Sequence, residues 1–132
     1  MKNYFAVSIV REAVEARGYI IKEKPQGFEF DLVGERSGFA EFFYVQEDEE
    51  NIWNRREDYE KSTVIFNALG DLQKESFWYV IVCKLTKALI IAQSSGIFVD
   101  KYLKTEGERS WYELPNEKCF IINYQDFVDG NK

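Results

Sequence analysis

With 132 residues, 45% of them hydrophobic and 30% charged, the chain has the size and composition of one domain with a buried core, which excludes a disordered polypeptide. A formal net charge of −6 and an isoelectric point near 4.8 exclude broad electrostatic binding of nucleic acid, although not a local basic patch. The absence of histidine excludes His-based zinc sites, Ser/His/Asp triads and Cys/His dyads together.

Residues 5–17 place Ala6, Ile9, Val10, Ala13 and Val14 on one face at helical spacing, and Gly18 supplies the stop. Residues 19–23 are short and β-branched, and Lys24-Pro25-Gln26-Gly27 has Pro and Gly where a type I turn prefers them. Residues 28–33 alternate apolar and polar, residues 34–38 read as a polar loop, and residues 39–46 form a second strong strand. Together these predict a three-stranded antiparallel meander.

Asp48-Glu49-Glu50-Asn51 then reads as the acidic start of a second helix, with Ile52, Tyr59, Phe66, Leu69 and Leu72 carrying it to about Lys74. Residues 77–85 are almost continuously apolar, as in a strand covered on both faces. Thr86-Lys87 turns the chain into a strand over 88–92. Residues 96–104 suit a strand or short helix, 110–114 an extended piece, 120–123 a strand and 124–128 a helical turn. No repeat or Gly/Ser linker interrupts the chain, so residues 1–132 read as a single domain. Cys83 and Cys119 lie in apolar runs and read as small buried hydrophobes, not as a disulfide framework or CxxC metal site. No signal-like run or segment of membrane-spanning length is present, so cytoplasmic residence with no membrane contact is the expectation.

The simplest hairpin registers set Lys22 opposite Glu29, Ile20 opposite Asp31, Val33 opposite Phe39 and Asp31 opposite Glu41. Alternation then gives a core face of Tyr19, Ile21, Phe28, Phe30, Leu32, Ala40, Phe42 and Tyr44. The other face carries Lys22, Glu29, Asp31, Glu41 and Phe43. Facing carboxylates roughly 4.5–5.5 Å apart at Cβ repel one another. Either a divalent cation such as Mg2+ or Mn2+ holds the pair, or a basic side chain such as Lys22 neutralises it, or the register is shifted.

The order helix, three antiparallel strands, helix, strand resembles the restriction-endonuclease-like, or PD-(D/E)xK, nuclease superfamily over residues 5–85. The fold class that follows is α/β (an α+β mixed sheet): an αβββαβ core with extra C-terminal strands. In that family an Asp ends the second strand, a (D/E)xK triplet lies on the third, and a Glu of the first helix often assists. Asp31 in Phe30-Asp31-Leu32-Val33 matches the Asp, Glu12 the helix residue, and Glu41-Phe42-Phe43 the triplet, with Phe43 where the lysine belongs. The resemblance implies a metal held by Glu12, Asp31 and Glu41 that activates water, with the lysine positioning the nucleophile. Lys22, diagonal to Asp31 on the neighbouring strand, is the candidate for a migrated lysine; its other reading is an ion pair with Glu29. Arg55 and Arg56 either meet nucleic-acid phosphate or pair with Glu60 or the 48–50 acids.

Three functions follow. The leading one is a nuclease-like domain with impaired catalysis that serves as an interaction or regulatory module. The second is an active Mg2+- or Mn2+-dependent DNase using Glu12, Asp31, Glu41 and Lys22. The third is an acidic partner-binding protein, inhibitor- or immunity-like, that offers Glu47-Asp48-Glu49-Glu50 to a basic target. A protein partner or DNA fits one or another of these, and strand edges with many aromatics leave room for a homodimer.

Overall fold

The computed structural model describes residues 4–24 and 27–130. Helix α1 (Tyr4–Ala16) buries Ala6, Ile9, Val10, Ala13 and Val14, the face set by its sequence spacing. It ends in a Schellman motif. Gly18, at φ +94°, donates its N–H to Glu15, and Tyr19 donates to Val14, both at 3.0 Å.

Strands β1 (Ile20–Lys22), β2 (Leu32–Arg36) and β3 (Phe39–Asp48) form the expected antiparallel meander, in a different register. Lys22 faces Val33 instead of Glu29, so residues 23–31 form a longer connection than a tight turn; the Pro25-Gln26 turn itself lies outside the described residues. Gly34 is a strand residue facing Glu41, and the β2–β3 turn contracts to Ser37-Gly38. Both turn residues have positive φ (56° and 81°), the backbone of a type I′ hairpin, whose twist matches that of the strands. Asp31 therefore does not face Glu41.

Strand β5 (Trp78–Cys83) runs parallel to β3, followed by β6 (Leu89–Gln93) and β9 (Phe120–Ile122), giving a six-stranded mixed sheet ordered β1-β2-β3-β5-β6-β9. The connection from β3 to β5 is the main departure from expectation. Instead of a helix over 52–74, it holds a 3-10 turn at Arg56–Asp58, strand β4 (Thr63–Asn67) and a 3-10 turn at Gly70–Lys74. The β-branched run Thr63-Val64-Ile65 disfavours helix, and alternation decides the rest: Val64 and Phe66 are buried while Ile65 is exposed. The second helix of an αβββαβ core is thus absent, while the mixed α/β class stands.

After α2 (Ser94–Ile97), strands β7 (Leu103–Glu106) and β8 (Arg109–Pro115) join β4 in a small antiparallel sheet ordered β4-β8-β7. Helix α3 (Tyr124–Asp129) is capped by Asn123, whose Oδ1 accepts from the Asp126 N–H at 2.7 Å.

Both faces of the large sheet are core, not one. Toward α1 and α3 it presents Leu32, Phe43, Val45, Val80, Val82 and Leu89; toward the small sheet it presents Phe30, Tyr79, Ile81, Cys83 and Ile90, which meet Val64, Phe66, Tyr112 and Leu114. Cys83 and Cys119 are both buried free thiols, as their apolar surroundings predict. A polar node crosses the second core. The Tyr79 hydroxyl bonds Gln46 Oε1 and accepts from the Asn67 backbone N–H at 3.1 Å, and Asn67 Nδ2 donates to Gln46 at 3.2 Å.

Alternation in β4 makes neighbouring positions unequal. Phe66→Ala is expected to cost about 3–5 kcal/mol of unfolding free energy, and Ile65→Ser within about 0.5 kcal/mol of zero. Urea denaturation of the two variants measures this, and equal costs would contradict the strand.

Candidate functional site

The acids singled out from the sequence are present but dispersed. Asp31 sits at a bend just before β2, where the side chains switch from the small-sheet core (Phe30) to the helix-side core (Leu32). It is 9% exposed. Its backbone N–H donates to Phe43 at 2.9 Å, and its Oδ2 accepts from the Val45 N–H at 2.6 Å. The carboxylate thereby replaces the strand carbonyl that β3 would meet if β2 continued. A buried N–H must find an acceptor, and Asp31 supplies it.

Glu41 lies on the helix side of β3, with both carboxylate oxygens engaged. Oε2 accepts from the Tyr19 hydroxyl at 2.5 Å and Oε1 from Trp78 Nε1 at 2.8 Å. The geometry starts from Gly34. A Cβ there would lie 3.0 Å from Tyr19 Cδ2 and 3.3 Å from Phe43 Cε1, so glycine gives the Tyr19 ring room to cross β2 to Glu41, where a side chain would press on both rings. Burial, then the hydrogen bond to Glu41 and its negative charge, push the Tyr19 hydroxyl up to about 12, partly opposed by Arg36 and Arg17. Phe43, aligned by the sequence resemblance with a lysine, is 4% exposed and meets Tyr19 edge-on at 5.7 Å.

Glu12 is on the exposed face of α1 and accepts from the Tyr124 hydroxyl of α3 at 3.3 Å. Lys22 is exposed on the edge strand, and among the described residues it forms no ion pair with Asp31, Glu41 or Glu29. Arg56 is spent on structure, donating to the carbonyls of Asn116 (3.1 Å) and Cys119. Arg55 is exposed, beside a cleft shared with Lys87 and Asn123. The acidic strip does not start a helix: Asp48 turns inward and accepts from the backbone of Glu50 and Asn51 and from Trp53 Nε1.

The residues do not fit the expected divalent cation. Asp31 and Glu41 are each committed to donors within the protein, and Glu12 reaches toward α3. Among the described residues no group of three or more His, Cys, Asp or Glu side chains is arranged to hold a metal.

The arrangement does contain a cavity of about 520 Å3 lined in part by Tyr19 and Trp78, the partners of Glu41, between α1, α3 and β3, β5, β6 and β9. Its walls include Val14, Phe43, Trp78, Val80, Ile91 and Phe127, with Arg17 and Arg36 at its edge. Neither arginine stood out in the sequence. One follows the last turn of α1 and the other precedes the Ser37-Gly38 turn, both ordinary places for a solvated cation. No protein-family model matches the chain, and no curated protein or solved structure matches it either.

Two measurements check these assignments. Asp31→Ala strands the Val45 N–H and is expected to cost about 1–3 kcal/mol in urea denaturation, with Asp31→Asn, which keeps an acceptor, costing less. An Asp31→Ala protein as stable as the parent would sink the assignment. For Tyr19, the unfolded chain loses its phenolic proton near pH 10 and the folded chain near 12. Its contribution is therefore complete below pH 10 and lost as the pH rises toward 12. Tyr19→Phe should lose less stability across that window than the parent, read by denaturant titration at each pH.

Proposed function

We propose that this chain is a restriction-endonuclease-like α/β domain without catalytic activity that works as a binding or regulatory module. The observation that carries the reading is the employment of the motif acids. Asp31 completes the β3 ladder, Glu41 ties Tyr19 to Trp78, and Phe43 fills the helix-side core where the family pattern has a lysine. A carboxylate that must leave its structural donor to ligate a metal loses that bond first. A buried ammonium at position 43 would require desolvation among Leu32, Val45 and Val80.

The scaffold supports the nuclease-like half of the reading. A helix precedes three antiparallel strands, and the next strand of the large sheet runs parallel to the third. The connection between them is a strand and 3-10 turns instead of a helix, so the likeness rests on the sheet and on α1.

The test is incubation of the purified protein with Mn2+ and linear, supercoiled and branched DNA, beside the Asp31→Asn variant. No cleavage above a protein-free control is expected from either. Metal-dependent cleavage by the parent that disappears in Asp31→Asn would overturn the proposal.

A further inference from the structure

The cavity between α1, α3 and the large sheet joins an apolar interior to a rim that carries two arginines and two aspartates. Val14, Phe43, Val80 and Leu89 on its walls are among the most buried residues of the chain. At about 520 Å3 it lies within the roughly 300–1,000 Å3 typical of small-molecule sites. An apolar hollow of this kind takes an apolar body, and what stands at its edge selects the polar end.

Two guanidinium groups stand there, each positioned by rings and main chain. Arg17 Cζ lies 5.2 Å from the centre of the Phe127 ring, and its Nη1 donates to the Phe127 carbonyl at 3.1 Å. Arg36 Cζ lies 4.4 Å from the centre of the Tyr19 ring, and its Nη1 donates to the Arg17 carbonyl at 3.2 Å. Ring faces hold a guanidinium in place without neutralising it, and one donated bond leaves most of its five N–H groups for a ligand. Among the described residues neither arginine forms an ion pair. Two acids share the rim, and their oxygens have donors within α3 and its cap: Asp126 Oδ2 accepts from Asn123 Nδ2 at 3.1 Å, and Asp129 Oδ1 from Gln125 Nε2 at 3.0 Å. The rim is balanced in formal charge, two guanidinium groups against two carboxylates, so what the arginines offer a ligand is directed N–H donors and not an excess of positive charge.

From these unspent guanidinium donors beside an apolar hollow we infer that the cavity binds a small amphipathic organic anion, its hydrocarbon body inside and its carboxylate on Arg36 and Arg17. The inference builds on the reading of the chain as a binding module and names the class of ligand for it. Planar guanidinium groups match a carboxylate through paired N–H donors, which a neutral head group of the same size does not reproduce.

The probes are decanoate and decanol, titrated calorimetrically, with 1-anilinonaphthalene-8-sulfonate displacement as a second readout. Decanoate is expected to bind about tenfold or more tightly than decanol, from charge-assisted hydrogen bonds. Arg36→Glu should remove that preference, while Arg36→Lys should keep part of it. Arg36 is exposed, so both variants are expected to fold, and near-ultraviolet circular dichroism checks that they do. Ile91→Trp, which fills the hollow, should weaken both probes. Equal binding of decanoate and decanol, binding unaltered by Arg36→Glu and Ile91→Trp, or no binding of decanoate would each overturn the inference. DNA cleavage bears on the catalytic reading alone, so the two fail separately.

Discussion

Strand β5 is buried on both sides, and most of the architecture follows from that. Its successive side chains alternate between two cores, with Val80 and Val82 toward the helices and Tyr79, Ile81 and Cys83 toward the small sheet. A sheet whose central strand is apolar on both faces needs two covering layers. Helices α1 and α3 supply one. The β4-β8-β7 sheet supplies the other, and the chain between β3 and β5 contributes its first strand. Phe66 meets Tyr79 edge-on at 4.8 Å, so the covering layer is packed ring against ring.

A sheet enclosed in this way has little room for idle polar groups, and its acids show it. Asp31 accepts from a buried backbone N–H that would otherwise lack an acceptor, and Glu41 accepts from the half-buried Tyr19 and Trp78 side chains. The two carboxylates expected to hold a metal are instead bonded within the protein, Asp31 to the backbone of β3 and Glu41 to Tyr19 and Trp78. The chain's distinctive chemistry lies instead at the edge of the helix-side core, where Arg36 lies over Tyr19, itself bonded to Glu41, and Arg17 lies over Phe127.

Much of this order was legible in the sequence because local signals agreed with the final packing. Helix α1, with its five-residue apolar face and Gly18 stop, and β5, with its unbroken apolar run, are cases where period and environment coincide. The site was less legible, and one glycine explains much of the loss. Gly34 reads as a turn residue, yet it is a strand position left bare so that Tyr19 can lie over it. Moving the turn to Ser37-Gly38 shifts the register by an odd number of residues, which removes Asp31 from Glu41 and sends Glu41 to the helix side. The absent second helix has a different cause. Leucines and aromatics at helical spacing over 52–74 compete with the β-branched, alternating run over 63–67, and pairing of that run with the distant β8 settles the contest.

That dependence on β8 sets the order in which the molecule can assemble. Thr63–Asn67 emerges between two strands that pair with each other, while its own neighbour in the sheet begins at Arg109. Until that neighbour arrives, Val64 and Phe66 have no sheet to belong to, and the second face of β5 lies open. Pairings so remote along the chain are slow to close, because the intervening loop entropy is lost before the contacts repay it. A ribosome-bound chain cut off before β8 would present an unfinished apolar surface, which makes this inserted strand the segment most in need of shelter during synthesis.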